Sequence, residues 1–214
     1  MQIHKHHIIF DEITYDREAL KDWYNSVKHL RNDYAVVMNR QREINRPANL
    51  SHNKKFKEGE FDTIDTTDKK MLEYDIVRNL AERFNFDVPL KSYNVDVLIF
   101  DPGFKFRPHV DFHMHCGIMF PILPDTNVAP IDFYHMPPGA TWERAKGYEV
   151  KFERDHDYSY SYSLTHPSMF NGDIIHGVRN TNQERVFLRI KCLSMTFDQV
   201  VEKLKSGNFI NPEK

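Results

Sequence analysis

Cysteine is scarce in this chain: Cys116 and Cys192 are the only two in 214 residues, and neither belongs to a Cys-x-x-Cys pair. That excludes a zinc ribbon, a thioredoxin-type motif and a disulfide scaffold. Both cysteines sit among apolar residues and read as buried free thiols, which suits a reducing, cytoplasmic setting. No apolar run is long enough to cross a bilayer, and the N-terminal MQIHKHHIIF is too short in apolar residues for a secretory signal. Charge of one sign is also lacking. Lys and Arg number 29 against 31 Asp and Glu, a formal net charge of −2, so no broad field favours nucleic acid or an anionic membrane. There is no internal repeat and no linker composition. The expectation is one domain over residues 1–214, with a helical part to residue 90, a strand-rich core over 91–195, and a closing helix and tail over 196–214.

Aromatic residues and histidine are abundant. Sixteen Phe and ten Tyr favour sheet, and twelve His is a high count. Hydrophobic residues at 40% and charged residues at 28% are ordinary for a globular domain.

The spacing predicts a short strand within 1–13 and a helix over 16–31. Leu20, Trp23, Tyr24, Val27 and Leu30 form its apolar face, and Thr14 or Asp16 is the expected cap. Residues 39–65 are polar and without period, so they read as a long surface excursion. Leu72, Ile76, Leu80 and Phe84 step by four and predict a second helix over 67–84, capped at Thr66 or Thr67. From Lys91 the texture changes to strands, expected at 91–100, 104–111, 116–122, 130–135, 147–153, 157–165, 173–179 and 185–194, before a helix at 196–206. Asp101-Pro102-Gly103 and Asn171-Gly172-Asp173 are turn signals. About eight short antiparallel strands after two helices point to a mainly β (α+β) fold. The form expected is a jelly roll, with the helices packed on its larger sheet.

Within that core, His109-Val110-Asp111 places an imidazole and a carboxylate on one side of a strand, since residues two apart point the same way. His176, after the apolar pair Ile174-Ile175, supplies a second imidazole. Two histidines and one carboxylate on one side of a divalent metal leave open positions opposite. That suits non-haem Fe(II), although zinc takes the same ligand types. His113 and His115 continue the two-residue period; they are expected to line a pocket or face solvent, with His113 a candidate substrate contact. His4, His6 and His7 read as an exposed cluster.

Residues 185–192, RVFLRIKC, alternate strictly. Val186, Leu188, Ile190 and Cys192 share an apolar face, while Arg185, Phe187, Arg189 and Lys191 share the other. The polar face could meet solvent. If it lines the interior instead, a buried guanidinium there needs an anion, and a carboxylate fits its fork. Arg185 is the stronger candidate, and Arg189 is a candidate substrate contact. Trp142, in MPPGATWERAK, and the run Tyr158-Ser159-Tyr160-Ser161-Tyr162 are further candidates near a substrate.

With these residues in hand, the stretch from Tyr93 to Leu193 resembles the Fe(II)- and 2-oxoglutarate-dependent oxygenases. The resemblance rests on Asp101-Pro102-Gly103, Pro108-His109-Val110-Asp111, Asn171-Gly172-Asp173 leading to His176-Gly177-Val178, Asn180, and Arg185 followed by Leu188. HGVRNTNQERVFLRI is similar to the aspartyl/asparaginyl β-hydroxylase branch, and the His-x-Asp also resembles prolyl hydroxylases. The resemblance implies a double-stranded β-helix and iron held by His109, Asp111 and His176. It implies 2-oxoglutarate anchored by Arg185, with Tyr93 assisting the same carboxylate. It further implies O2 as co-substrate, release of succinate and CO2, and hydroxylation of a C–H bond in a peptide, protein, amino acid or other small molecule. Ascorbate would be an aid to turnover in vitro. Asp111 argues against a halogenase, and Phe187 stands where many relatives carry Ser or Thr. The competing reading is a non-catalytic, cupin-like metal or ligand binder, which gives Arg185 no role. A zinc hydrolase would want a glutamate beside the ligands, and none adjoins His109 or His176.

Overall fold

The computed structural model describes residues 1–30, 32–33, 61–64, 70–103, 106–109, 111, 114–124, 130–134, 158–178 and 182–211. Among them, twelve strands form two antiparallel sheets. The strands are β1 (Gln2–Ile3), β2 (His7–Ile9), β3 (Asn32–Asp33), β4 (Phe61–Ile64), β5 (Asn94–Phe100), β6 (Phe106–His109), β7 (Cys116–Leu123), β8 (Ile131–Tyr134), β9 (Tyr158–Tyr162), β10 (Ser168–Asn171), β11 (His176–Val178) and β12 (Arg185–Cys192). The larger sheet runs β1-β2-β10-β7-β12-β5-β4-β3 and the smaller runs β6-β11-β8-β9. The α-helices are α1 (Arg17–Val27), α2 (Asp75–Ala81) and α3 (Phe197–Lys205).

Two hydrophobic layers follow from the alternation along the central strands. Val95, Val97 and Ile99 of β5, Ile118, Phe120 and Ile122 of β7, and Val186, Leu188 and Ile190 of β12 pack against Leu20, Trp23 and Val27 of α1, Val77 and Leu80 of α2, and Val200 and Leu204 of α3. The opposite faces contribute Leu98, Phe100, Met119 and Phe187, which join Ile131, Phe133 and Val178 of the smaller sheet in a second cluster. The helices therefore cover one face of the larger sheet, and the interior between the sheets lies on the other. Arg185 and Phe187 belong to that interior, so the polar side of β12 faces inward.

Local chemistry sets the helix ends. Asp16 accepts from the Ala19 N–H at 2.9 Å and caps α1, so Asp16 rather than Thr14 is the cap. Thr196 and Gln199 form a reciprocal capping box at the start of α3. Tyr74, in an extended conformation, splits the second helix into a 3-10 turn at Lys70–Glu73 and the shorter α2. Gly103 adopts φ 89° in the turn expected after β5.

Three differences from expectation bear on the site. Residues 61–64 are not part of a surface excursion but a strand paired with β5; residues 34–60 lie outside the described residues. β10 lies where no strand was expected, between β2 and β7. Of the N-terminal histidines only His4 is exposed. His7 is fully buried, stacked on Tyr162 at 4.3 Å and Tyr160 at 5.2 Å. Cys116 and Cys192 are buried and free, directly opposite each other on β7 and β12. The strand expected at 147–153 lies outside the described residues.

Candidate metal centre

The smaller sheet brings the sequence motif together. β6 and β11 are antiparallel neighbours, and their register places His109 directly opposite His176. Past the end of β6, the Asp111 N–H donates to the Gly172 carbonyl at 3.0 Å, which ties the second half of the motif to the turn before β11. The Asp111 Oδ2 then lies 3.8 Å from Nε2 of His176. That is too long for a hydrogen bond, and somewhat longer than the roughly 3.0–3.4 Å between two ligands of one octahedral or tetrahedral ion when each bond is about 2.1 Å. The side chain of His109 lies outside the described residues, as do His113 and Trp142.

His176 is 5% exposed and oriented from behind. Its Nδ1 lies 2.8 Å from the Ile174 carbonyl. A carbonyl only accepts, so Nδ1 carries a proton and Nε2 is the ring nitrogen that faces Asp111. This is the arrangement that fixes ring and tautomer in histidine metal ligands. Phe170 packs edge-on at 4.9 Å and Phe133 lies 6.3 Å away. Burial pushes the Asp111 carboxyl above its ordinary range, opposed by His176, Arg189 and Lys191. A divalent ion would favour the ionised form.

Gly172, expected only as a turn residue, packs directly against the candidate ligand Asp111. A Cβ there would lie 2.5 Å from the Met114 carbonyl oxygen and 3.1 Å from the Asp111 Oδ2. Only glycine lets this turn approach the carboxylate so closely. The signal was present in Asn171-Gly172-Asp173, but nothing local said what the turn must pass.

Arg185 is 0% exposed, and its Nε, Nη1 and Nη2 have no hydrogen-bond partner among the described residues. The guanidinium carbon sits 5.0 Å from the Phe187 ring centroid and 5.7 Å from that of Phe100. Phe187 is thus part of the wall that positions the guanidinium, where a hydroxyl was the usual expectation. Burial alone lowers its pKa from 12.5 to about 10, so the group stays charged at neutral pH. The rings flanking Arg185 and the Phe133 and Phe170 rings beside His176 belong to one cluster, so the guanidinium and the candidate ligands open on one interior. A buried cation with no partner calls for an anion. The donor set and the cation together fit a divalent metal and a carboxylate co-substrate.

Other expectations fare differently. The Tyr93 hydroxyl donates to the Phe84 carbonyl at 2.5 Å, and the ring packs on Phe86 at 4.9 Å, on the helix side of the sheet. Tyr93 precedes β5, whereas Arg185 pairs with Phe100 at the other end of that strand, about 23 Å away at 3.3 Å per residue. It does not fit the role expected of it beside Arg185. Arg189 is engaged by Asp96 through Nε at 2.9 Å and Nη2 at 2.7 Å, so its fork is spent on a protein carboxylate. The Nδ1 of His115 pairs with Asp173 at 2.9 Å.

Two solved structures share features of this backbone. One is the non-haem alpha-ketoglutarate-dependent epimerase SnoN from nogalamycin biosynthesis, at 14% identity over 63% of this chain and 63% of that one, with a TM-score of 0.41. The chain thus spans less than two thirds of that protein. The other is a Pseudomonas putida prolyl-4-hydroxylase, at 12% identity over 87% of this chain and 92% of that one, with a TM-score of 0.40. At these values the likeness is remote. No family model matches the chain, and no curated protein matches its sequence. Among the described residues, no helix is long and apolar enough to cross a membrane.

Proposed function

We propose that the protein is an Fe(II)- and 2-oxoglutarate-dependent oxygenase with a double-stranded β-helix core. The observation that carries this reading is the buried guanidinium of Arg185, without a hydrogen-bond partner among the described residues, on the same interior as His176 and Asp111. His109, Asp111 and His176 would hold the metal, a two-histidine, one-carboxylate set that suits non-haem iron. Arg185 would bind the far carboxylate of 2-oxoglutarate bidentately and fix its register in the interior. Phe100 and Phe187 flank that ion pair and keep water from it. Ile174 holds the His176 tautomer through its carbonyl, and Gly172 lets Asp111 approach. Bound iron and O2 supply the oxidising chemistry, in which 2-oxoglutarate leaves as succinate and CO2 and a substrate C–H becomes C–OH. The substrate is an amino acid, free or in a peptide or protein, or another small molecule.

The test is succinate release by purified protein given Fe(II), ascorbate and 2-oxoglutarate. Slow uncoupled turnover is expected without substrate, and Arg185→Ala and His176→Ala should each abolish it. Succinate formation that persists in His176→Ala would contradict the proposal.

A further inference from the structure

We propose that Cys116 and Cys192 are a reversible redox site: a peroxide oxidises the two thiols to a disulfide, and a thiol reductant restores them. This chemistry needs neither the metal nor the co-substrate of the candidate centre.

The fold brings the thiols together. Cys116 opens β7 and Cys192 closes β12, and the antiparallel register sets them directly opposite each other. Residues so opposed have Cα atoms about 4.5–5.5 Å apart, inside the roughly 4.4–6.8 Å that a disulfide bridges. Their side chains share a face, since both lie in the helix-side layer with Ile118 and Ile190. Both Sγ atoms then converge on one acceptor, the Met195 carbonyl oxygen, at 3.7 Å from Cys116 and 3.6 Å from Cys192. Joining them takes rotation of side chains rather than movement of strands.

The pair is buried, at 0% and 1% exposed, but it stands at the ends of its strands and not in their middle. The cover there is thin. Leu193 and Ser194, which follow Cys192 directly, are both exposed. A cavity of about 220 Å³ opens beside them, lined also by Phe86, Ser92, Tyr93 and Lys191. Hydrogen peroxide is little larger than water, which occupies about 30 Å³, so it fits that space.

The two thiols divide the work. The hydrogen bond from Cys116 holds the Cys192 thiol below its ordinary range, and the same bond pushes Cys116 up. Cys192 is therefore the attacking thiolate and Cys116 the resolving thiol. Cys192 Sγ attacks one peroxide oxygen, the O–O bond breaks, and the other oxygen leaves as water with the proton Cys192 gave up. The sulfenic acid on Cys192 is then attacked by Cys116 Sγ. The S–S bond forms, the S–O bond breaks, and the oxygen leaves as a second water carrying the Cys116 proton. Two thiols lose two electrons and one peroxide gains them.

The test treats the reduced full chain with a modest excess of hydrogen peroxide and reads it by intact mass and by thiol counting after denaturation. The monomer should become lighter by two hydrogen atoms, and its free thiols should fall from two to none. A peptide linking residues 116 and 192 should appear on digestion, and dithiothreitol should reverse the change. Cys116→Ala should leave a sulfenic acid on Cys192 that dimedone traps, and Cys192→Ala should leave Cys116 unmodified at the same dose. Two free thiols after treatment, oxygen added to either cysteine of the wild type without a link, or a bond between two chains would overturn the proposal. So would dimedone labelling of Cys116 in Cys192→Ala with none on Cys192 in Cys116→Ala. If either variant fails to fold, the wild-type mass and thiol count decide.

Discussion

Arg185 carries a full charge into an apolar interior between two phenylalanine rings and has no hydrogen-bond partner there among the described residues. In the ligand-free protein that arrangement is a burden on stability. Arg185→Met should therefore raise the thermal midpoint of the ligand-free protein. Replacing buried ions with apolar groups gains roughly 1–4 kcal/mol, and each kcal/mol is worth about 2–4 °C at this chain length. The same variant should lose the stabilisation that added 2-oxoglutarate gives the wild type. Differential scanning calorimetry with and without the ligand measures both. His7 presents a different case. Burial, then the neighbouring His4 and His6, lowers its pKa from 6.5 to about 4. The unfolded chain then binds a proton that the folded one refuses, so stability is full above pH 6.5 and falls as pH drops towards 4. At about 1.4 kcal/mol per tenfold difference in proton affinity, the loss is at most about 3 kcal/mol. Melting curves between pH 7 and pH 4.5 should show this slope, and His7→Phe should flatten it.

At the scale of elements, strict alternation was the clearest signal. It sorted the residues of β12 into two rows but left open whether the polar row met solvent; the structure turns that row inward, with Arg185 fully buried. The pairing of β6 with β11 rests on long-range register, which no local pattern records. β10 escaped notice because Ser168-Met169-Phe170-Asn171 is short and polar at both ends, and its burial comes from β2 and β7 on either side. His7 shows the same limit, since its neighbours Tyr160 and Tyr162 are more than 150 residues away in the chain. Tyr93 was misplaced because strand length decides which end of β5 faces Arg185. The turn between β10 and β11 should be intolerant for steric reasons. Gly172→Ala forces a methyl group against the Met114 carbonyl and the Asp111 carboxylate. Metal affinity measured by competition with a chelator should fall at least about tenfold, as it does when groups supporting metal ligands are lost.

Across the whole molecule, two layers divide the work. The helix-covered face of the larger sheet holds most of the apolar core, while the charged groups of the candidate site lie on the opposite side of that sheet, with Arg185 on the sheet itself and Asp111 and His176 on the facing turn and strand. The most direct test of the central claim is a crystal structure of the protein with Mn(II) and 2-oxoglutarate, grown without oxygen and read by anomalous scattering. The account predicts one anomalous peak bonded to the His176 Nε2, the Asp111 carboxylate and His109, with the far carboxylate of the diacid on Arg185. A peak elsewhere, or a diacid that leaves Arg185 unengaged, would contradict it.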